Sequence, residues 1–498
     1  MISQAYTKQE PLTSTGIPFF YYLFSVAAYA TCFSYWQIEP IPLHVHIAAV
    51  LLAATGFIPL FIWQARGHKD LPMFELICLS YVLQFSTSVY TQPNQIIIFS
   101  RPVLIGWDVL YDTILYTEAG MIAMLIGYYA TYGSSFIHTL PRIDLNFTPE
   151  QRYAYLRFAI VIGALVLGAT SVGLARFQAI NAITRVLGGQ LYIAIVVLAY
   201  QVYGRSQVSS FWRNTLWITT IYAFLMGLIT GLLENAFVIV MLLLLVHWHI
   251  KRRIPWLLLI TGTILVLILN TAKTEYRTRV WYTNTQQSVI DKVTLWSNLF
   301  LESGSAFLNN QEGEREQAIQ KALSRFDLIH KFAYVQTLTP SRIPHYNGKS
   351  YYYLFIAWVP RFLWPSKPIA SDITSQMDVD YLLKPRGSST TMGLGLVPEA
   401  YANFGLAGII LILGAQGIVF ATLAFLLNGP TSEGGRGIYL TISIYFLNGI
   451  GSSAALLFGA IFQQIIAHGL VMYRFKKIVP KAVGGPQERA QTPKTGIA

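Results

Sequence analysis

Charged residues are scarce in this chain, and their scarcity excludes most classes of soluble protein. Only 12% of its 498 residues are Asp, Glu, Lys or Arg, whereas 54% are hydrophobic. Soluble domains carry about 25% charged residues. Apolar runs recur along the chain, and runs of about 18 or more residues are long enough to cross a bilayer core of about 30 Å. The composition therefore predicts a polytopic helical membrane protein.

Cysteine is nearly absent, and no pattern of metal ligands or cofactor binding is present. Cys32 and Cys78 fall in predicted spans near opposite faces of the membrane, too far apart for a disulfide. The two His-x-His pairs place their side chains on different sides of a helix, where they cannot share a metal ion. The chain also lacks a glycine-rich phosphate loop, cysteine pairs and a nucleophile elbow. The sequence predicts no disulfide, metal ion or cofactor.

Apolar periodicity predicts an all-α fold with about twelve transmembrane helices. The predicted spans are residues 17–36, 43–64, 73–90, 110–132, 153–175, 187–203, 214–233, 235–249, 255–272, 404–427, 437–452 and 453–473. One long segment separates the ninth span from the tenth. The expected organisation is a bundle of spans 1–9 (1–272), a large extracytoplasmic loop (273–403), a bundle of spans 10–12 (404–478) and a disordered cytoplasmic tail (479–498).

Lys and Arg residues predict the orientation, because they concentrate in cytoplasmic loops. With the N-terminus inside, every predicted inner loop is basic, and the residues concerned are Arg66, Lys69, Arg142, Arg152, Arg205, Arg213, Lys251, Arg252, Arg253, Arg436, Arg474, Lys476, Lys477 and Lys481. The short outer loops 37–42 and 234–235 contain neither residue type. We therefore expect both termini in the cytoplasm. We interpret the net charge of +12 as a topology signal and expect no nucleic-acid partner.

The large loop is far longer than a connection requires, so we expect it to carry function. Its first half has apolar residues at helical spacing, and these are Ile319, Leu323, Phe326, Ile329 and Ala333. Its second half, from Pro340 onward, is rich in proline, glycine and aromatic residues. The pattern predicts an amphipathic helical part followed by irregular structure with short helices against the membrane surface.

Charged residues in unusual places are candidates for a functional site. Arg176 and Arg185 flank a short outer loop, against the tendency of basic residues to lie inside. They fit helix-end anchors at the lipid surface, and they also fit an anion site, since arginine binds phosphate oxygens bidentately. Asp108 and Asp112 share a face at the outer end of the fourth span. Glu118, within that span, is either a site residue or the partner of an arginine.

Basic and aromatic residues alternate through the large loop. Lys273, Arg277 and Arg279 open it, and an i,i+4 pair of Arg279 with Glu275 would leave Lys273 and Arg277 free. Further basic groups lie among Tyr351, Tyr352, Tyr353, Trp358 and Trp364, and these are Arg342, His345, Lys349, Arg361, Lys367, Lys384 and Arg386. Arginines hold phosphates, and aromatic rings suit the membrane interface. The set predicts a site for a lipid-linked pyrophosphate that carries a sugar.

Two motifs in this loop resemble those of a known enzyme family. The string VPRFLWPSKP (359–368) contains the pattern Pro-Arg-x-x-Trp-Pro-x-Lys-Pro, and GLVPEAYANFGLAG (395–408) leads into a span. With the topology, they resemble the Wzy-type polymerases of lipid-linked oligosaccharide repeat units, which are inner-membrane enzymes of O-antigen and exopolysaccharide synthesis. The detailed resemblance covers residues 340–408, and elsewhere it is one of topology.

The resemblance implies a metal-independent glycosyltransferase with a GT-C-like fold. Its reaction transfers a nascent glycan from undecaprenyl pyrophosphate to the non-reducing end of another undecaprenyl-pyrophosphate-linked repeat unit, on the outer face of the bacterial inner membrane. Basic groups would stabilise the departing diphosphate. The catalytic residues implied are Glu399 as the first choice of general base, His345 as the second, and Arg361. The residues expected to bind pyrophosphate and sugar are Arg176, Arg185, Lys273, Arg277, Arg279, Arg342, Lys367, Trp364, Tyr401 and Asn403.

Other functions stay open at this point. An O-antigen ligase has much the same architecture but transfers the glycan to lipid A core. A transporter or flippase for a lipid-linked or anionic substrate would favour internal repeats and broken helices, and the sequence shows no convincing repeat. A transferase that uses polyprenyl-monophosphate sugars would carry an acidic site in the first outer loop, where Glu39 is the single acid. The implied partners of the polymerase, besides membrane lipids and its two lipid-linked substrates, are a chain-length regulator protein and a flippase.

Overall fold

Long helices make up most of the chain. The computed structural model describes residues 16–67, 70–172, 181–204, 208–253, 255–281, 288–309, 313–357, 359, 364, 366–388, 392–429 and 432–478. Before the large loop the helices are α1 (Gly16–Tyr35), α2 (Leu43–Ala65), α3 (Met73–Tyr81), α4 (Ser88–Thr91), α5 (Trp107–Gly133), α6 (Ser135–Thr139), α7 (Pro149–Ser171), α8 (Asn181–Gly204), α9 (Ser210–Ile229), α10 (Leu233–Lys251) and α11 (Trp256–Trp281). A π-helical segment, Val82–Thr87, joins α3 to α4. An antiparallel hairpin of β1 (Gln95–Ile98) and β2 (Arg101–Leu104) precedes α5.

The described residues of the large loop form five α-helices before the chain reaches the next apolar helix. They are α12 (Val289–Asn309), α13 (Glu314–Leu323), α14 (Ile329–Leu338), α15 (Tyr352–Ala357) and α16 (Ala370–Asp380). The described helices that follow are α17 (Leu396–Leu427), α18 (Glu433–Gly449) and α19 (Ala454–Ile478).

The predicted amphipathic stretch from Ile319 to Ala333 is not one helix. A 3-10 turn, Ser324–Phe326, ends α13. Asp327 then starts α14, because its side chain accepts a hydrogen bond from the His330 backbone N–H at 3.3 Å, as a helix-capping residue does. Phe326 is consequently 40% exposed rather than part of a continuous apolar face.

Nine helical segments in the described part of the chain are long and apolar enough to cross a membrane. They are α2, the run 73–91, α5, α7, α8 from Thr184, α10, α11, α17 and α19 up to Lys476. The chain is therefore an all-α, multi-pass membrane protein. The three other predicted spans coincide with α1, α9 and α18, which lie outside this set of nine.

Helices α5 and α17 pack backbone to backbone, and glycines permit the contact. A Cβ added to Gly127 of α5 would lie 2.3 Å from the Gly414 carbonyl oxygen of α17. A Cβ added to Gly417 of α17 would lie 2.1 Å from the Met124 carbonyl oxygen of α5. Small residues allow such close approach between membrane helices. This pair fixes the position of α17, whose first residues carry the second sequence motif.

Basic residues predicted for inner loops meet at one end of the bundle. Arg436, Arg66, Arg142 and Arg252 all lie within electrostatic range of Asp70. Burial raises the pKa of Asp70, and these four guanidinium groups oppose the rise. The large loop lies at the other end, where the Leu328 backbone N–H donates to the carbonyl oxygen of Gln84, near the end of the third predicted span, at 3.3 Å. We call that end the loop side.

Candidate functional site

Helix α17 is broken within the motif GLVPEAYANFGLAG. Phe404 and Gly405 have non-helical backbone angles, and Gly405 adopts φ +61° and ψ −149°, a conformation that glycine tolerates best. The break separates a short segment, residues 396–403, from a long one, residues 406–427. The sequence predicted that the span begins at residue 404. The helix begins earlier, because the residues before the break also coil as a buried helical segment.

A turn of the large loop, residues 345–350, wraps around the end of the short segment, and we call it the strap. The backbone N–H groups of Tyr346 and Asn347 donate to the carbonyl oxygens of Ala402 and Asn403 at 3.0 and 3.2 Å. Carbonyl groups at a helix end lack intrahelical partners. The strap supplies those partners, so the break and the strap form one structural unit.

The Asn403 side chain is fully buried and joins the strap to the short segment. Its Oδ1 accepts from the Gly348 backbone N–H at 2.9 Å. Its Nδ2 donates to Ser350 Oγ at 2.8 Å and to the Glu399 carbonyl oxygen at 2.9 Å. Asn403 was expected to bind a sugar, but its amide is already occupied by these contacts, so its place in the structure is that of a positioning residue.

Glu399 lies on the inward face of the short segment and is 1% exposed. Its Oε2 accepts from the backbone N–H of Ala454, the first residue of α19, at 2.6 Å. The Ser350 hydroxyl approaches the same carboxylate, although not in hydrogen-bond geometry with Oε1. A carboxylate is stabilised at a helix N-terminus. In this conformation Glu399 is buried against the N-terminus of α19.

His345, the second candidate base, lies in a more open place. Its ring is half-buried, with Nδ1 3.3 Å from the carbonyl oxygen of Ala402. A carbonyl oxygen can only accept, so Nδ1 carries the proton and Nε2 of the neutral ring keeps its lone pair. The ring packs edge-on against Tyr401 with centroids 6.1 Å apart. Tyr401 in turn stacks on Tyr116 of α5 and lies within electrostatic range of Asp112.

The acids of α5 do not form one group. Asp108 and Asp112 are exposed at the loop-side end of the helix. Glu118 lies deeper, where its Oε1 accepts a hydrogen bond from Thr55 Oγ1 of α2 at 2.5 Å. The partner of Glu118 in the structure is therefore Thr55 and not the arginine that was one of the two expectations.

The proline-rich motif is described only in part. Arg361 and Trp358 lie outside the described residues. Lys367 Nζ donates to the Val359 carbonyl oxygen at 2.9 Å, and Trp364 Nε1 donates to Ser366 Oγ at 3.1 Å. These contacts close the motif on itself, as its prolines favour.

Four basic residues meet beside the end of α11. The Lys273 amino group lies within electrostatic range of Arg325, Arg277 and Lys321, and Lys321 Nζ donates to Thr274 Oγ1 at 3.0 Å. We call Lys273, Arg277, Lys321 and Arg325 the cation cluster. Lys273 is 5% exposed, and among the described residues no carboxylate acts on it. Burying the positive charge of Lys273 beside three other cations is unfavourable, so this position is suited to an anionic ligand.

Arg279 and Arg277 both have partners in the structure, but the sequence predicted only the partner of Arg279. Arg279 pairs with Glu275 at 2.6 Å, which confirms the expected i,i+4 pair. The expectation that Arg277 stays free was wrong. Its Nε donates to the Gly231 carbonyl oxygen at 2.9 Å, and its guanidinium lies 4.4 Å from the centroid of the Trp281 ring. The cation cluster is thereby attached to the α9–α10 turn.

An apolar groove of about 210 Å³ runs between α9, α11 and α12. Its wall on α11 contains Leu265 and Leu269, and Lys273 follows at the same four-residue spacing, which places it on the same side of the helix. Phe224, Trp296 and Phe300 supply aromatic walls. We call it the apolar groove. An apolar surface followed by positive charge along one face of α11 suits a lipid that has an apolar chain and an anionic head group.

A larger cavity, about 590 Å³, lies among α7, α8, α9, α10, α18 and α19, and we call it the polar cavity. Its wall includes Arg185, Glu234, Asn448 and His468. The start of α10 and the end of α9 contribute to it, which places it toward the loop side. The last turn of α9 separates this cavity from the apolar groove, since Gly227 lines one and Leu228 the other.

In the second half of the loop, the opposite charges of Lys331 and Asp378 lie within electrostatic range of each other. Lys331 Nζ donates to the Gly393 carbonyl oxygen at 3.1 Å, and Asp378 Oδ2 accepts from the Met392 backbone N–H at 2.8 Å. Burial lowers the pKa of Lys331 and raises the pKa of Asp378, while their mutual attraction opposes both changes. Lys384, 4% exposed, completes this group. Its role here is structural.

The predicted site residues thus divide among several places. Glu399, Tyr401 and Asn403 lie with His345 around the strap, Lys273 and Arg277 lie in the cation cluster, and Arg185 lines the polar cavity. Arg342 is exposed after α14, and Arg176 lies outside the described residues.

Sequence reasoning missed several members of these sites. Lys321 and Arg325 were not selected, although their i,i+4 spacing on a basic helix was a usable signal. Glu234, Asn448 and His468 of the polar cavity were also missed, because Glu234 was interpreted as part of a short outer loop and single polar residues within spans, such as Asn448 and His468, give no pattern. In the described part of the chain, no group of three His, Cys, Asp or Glu residues is arranged to hold a metal ion.

The comparison with protein families assigns this chain to one of them. Residues 121–477 match the family described as a domain of unknown function (DUF8712), and the chain belongs to that family. The matched range contains the cation cluster, the polar cavity, the strap and the short segment of α17. No curated protein and no solved structure matches the chain.

Proposed function

We propose that this protein is a membrane glycosyltransferase that polymerises lipid-linked oligosaccharide repeat units. The proposal is carried by α11, where Leu265 and Leu269 of the apolar groove are followed at the same four-residue spacing by Lys273 of the cation cluster. A polyprenyl diphosphate has these two parts, a long apolar chain and an anionic head group. The motifs at residues 359–368 and 395–408 support the same class of substrate through their resemblance to the Wzy-type polymerases.

In the proposed reaction the groove takes part of the polyprenyl chain of the donor, and the cation cluster takes its diphosphate. The acceptor hydroxyl oxygen attacks the anomeric carbon of the donor glycan, and the bond from that carbon to the diphosphate oxygen breaks. Negative charge develops on the leaving diphosphate, where fixed cations stabilise it most effectively in a site of low water content. Arg361 and Lys367 are proposed to contribute from the proline-rich motif.

The proton of the acceptor hydroxyl requires a base. Of the two candidates, His345 is the better placed, because its ring is half-exposed and its Nε2 is available. Glu399 is proposed to act through position. It holds the short segment against α19, and the short segment holds the strap that carries His345.

The proposal includes the topology. The proposed topology has twelve spans, with α1, α9 and α18 added to the nine, the loop side outside the bacterial inner membrane and both termini in the cytoplasm. The cluster of arginines around Asp70 at the opposite end supports this orientation, since basic residues concentrate in cytoplasmic loops. A GT-C-like fold, a chain-length regulator and a flippase as partners belong to the same proposal.

A transporter of lipid-linked glycans is the second candidate. The broken helix α17 and a polar cavity within the bundle favour it, because transporters use discontinuous helices and polar sites within the membrane. A ligase would share the donor site and differ in its acceptor.

Reconstitution separates these functions. Lipid-linked repeat units would be extracted from cells that lack the gene and incorporated with the purified protein into liposomes. A polymerase yields a ladder of longer lipid-linked glycans on a gel. Elongation that occurs solely after lipid A core is added indicates a ligase, and movement of repeat units between leaflets without elongation indicates a transporter. Absence of all three outcomes contradicts the proposal.

A further inference from the structure

The polar cavity has a chemistry unlike that of the apolar groove or the cation cluster. It presents one guanidinium, from Arg185, and one carboxylate, from Glu234, which lies near the Asn448 side chain. Hydroxyl and amide groups make up most of its other polar lining, and Tyr192 and Tyr445 add aromatic surface. Opposite charges offset one another, so the cavity does not favour a strongly charged ligand.

A buried chain of hydrogen bonds ends in this cavity. Tyr155 Oη donates to Gln190 Oε1 at 2.8 Å, and Gln190 Nε2 lies 2.9 Å from His468 Nδ1. Because Gln190 Nε2 can only donate, Nδ1 of His468 accepts, and the ring proton is on Nε2. All three side chains are at least nine-tenths buried, and His468 lines the cavity. His468 therefore offers a fixed N–H donor to whatever the cavity holds.

Gly189 provides the room for this arrangement. A Cβ at Gly189 would lie 2.8 Å from His468 Cε1 and 3.2 Å from its Nε2. A side chain at Gly189 would force the imidazole to shift from this position. The orientation of the His468 ring therefore depends on the absence of a side chain at Gly189 of α8.

We propose that the polar cavity binds the carbohydrate part of a substrate, as a site for uncharged sugar units. Fixed donors and acceptors suit sugar hydroxyls, and aromatic rings suit the apolar faces of sugars. The volume of about 590 Å³ falls within the range of about 300–1,000 Å³ that is usual for ligand sites. The inference rests on the proposed function for the identity of the sugar, which is that of the lipid-linked repeat unit.

Two probes separate this site from the lipid site. The first is undecaprenyl diphosphate without a glycan. The second is the free oligosaccharide that mild acid releases from repeat units accumulated in cells lacking the gene. Binding of each to the purified, detergent-solubilised protein would be measured by titration calorimetry, with size-exclusion profiles to confirm that each variant is folded.

His468→Phe keeps the ring and removes the N–H donor, so it should weaken oligosaccharide binding about three- to tenfold, the effect of one hydrogen bond. Gly189→Ala should do the same by displacing the ring. Undecaprenyl diphosphate should bind both variants with less than about a twofold change. Gly469→Ala is the matched control, because a Cβ there meets nothing within 4 Å. Gln464→Met, which keeps length and removes an amide from the wall, replaces His468→Phe if that variant does not fold.

The outcomes are distinct. Failure of the wild-type protein to bind the oligosaccharide, or equal binding by wild type and all cavity variants, overturns the sugar site and leaves the proposed function standing. Failure to bind undecaprenyl diphosphate, with the oligosaccharide bound as expected, contradicts the proposed function and supports the cavity as a carbohydrate site.

Discussion

Replacing Lys273 by methionine should stabilise the protein and at the same time inactivate it. Methionine has similar length and fills an irregular apolar space well, so the change removes charge without creating a cavity. The charge that disappears is 5% exposed and faces Arg325, Arg277 and Lys321. In the absence of a bound anion, this charge lowers the free energy of unfolding.

The gain in stability follows from those three neighbours. Pairs of charges near the protein surface interact by about 0.2–1 kcal/mol each, so removing three unfavourable pairs should raise the free energy of unfolding by about 0.6–3 kcal/mol. The loss of function follows from the proposed leaving group. One missing charge-assisted contact to a diphosphate costs on the order of 2–4 kcal/mol of transition-state stabilisation, which is a fall in kcat/KM of about 30- to 1,000-fold.

The two effects are measured separately. Thermal unfolding in detergent, followed by fluorescence-detected size exclusion, reports stability, and the length distribution of lipid-linked glycan in liposomes reports the reaction. Undecaprenyl diphosphate at about 100 times its Kd should stabilise the wild type by about 2.7 kcal/mol. It should stabilise Lys273→Met much less, because the ligand loses its central cation.

Lys251→Met is the control, since Lys251 is an exposed lysine at the opposite end of the bundle. It should change neither stability nor rate. A Lys273→Met protein that is less stable than the wild type yet elongates glycans at the normal rate would refute the reasoning. The cation cluster would then be a structural feature of the loop.

Further changes test the topology and the strap. A cysteine at exposed Ser341 should react with an impermeant thiol reagent from outside, whereas one at exposed Ser135 should react only after permeabilisation, because the two positions lie at opposite ends of the bundle. His345→Asn should lower kcat by about 10²- to 10⁴-fold, the usual contribution of a general base. Glu399→Gln should keep most of the rate and lose up to about 1 kcal/mol of stability, because it retains an acceptor but loses the charge at the α19 N-terminus. Arg361→Lys should express normally and leave mainly single repeat units, since lysine lacks the bidentate fork.

Each of these changes has its own control. Labelling requires a Cys32→Ser background, because Cys32 is exposed, and labelling from outside at the Ser135 position alone inverts the topology. An inactive Glu399→Gln protein of normal stability would restore Glu399 as the base. Arg436→Lys, at the opposite end, should be silent, and a normal ladder from Arg361→Lys would make the proline-rich motif structural.

The membrane helices were the most predictable part of the fold. Nine predicted spans are confirmed as apolar helices, because the length of an apolar run follows directly from bilayer thickness. Turns and helix ends were harder to predict from the sequence. The hairpin at residues 95–104 and the division of the loop helix at Asp327 were not predicted, since each depends on turn residues whose effect is decided by the surroundings.

The site was predictable in residue types but less so in geometry. The sequence identified Lys273 and Arg277, but the cluster they form needs Lys321 and Arg325, which a later helix brings back to α11. Glu399 was selected because an acid in a motif suggests a base. Its burial against Ala454 depends on the break in α17. The periodicity of the sequence does not predict a break inside an apolar run.

The break in α17 and the strap impose a rule on exchange between relatives of this chain. The N–H groups of the strap donate to carbonyl oxygens that lack helical partners because the helix breaks at Phe404. The backbone conformation of Gly405 makes that break possible. Neither segment has its partners without the other. Residues 345–350 and 396–405 should therefore be inherited as a linked pair. A chimera that takes its large loop from one homologue and its tenth span from another should fold only when both segments come from the same parent.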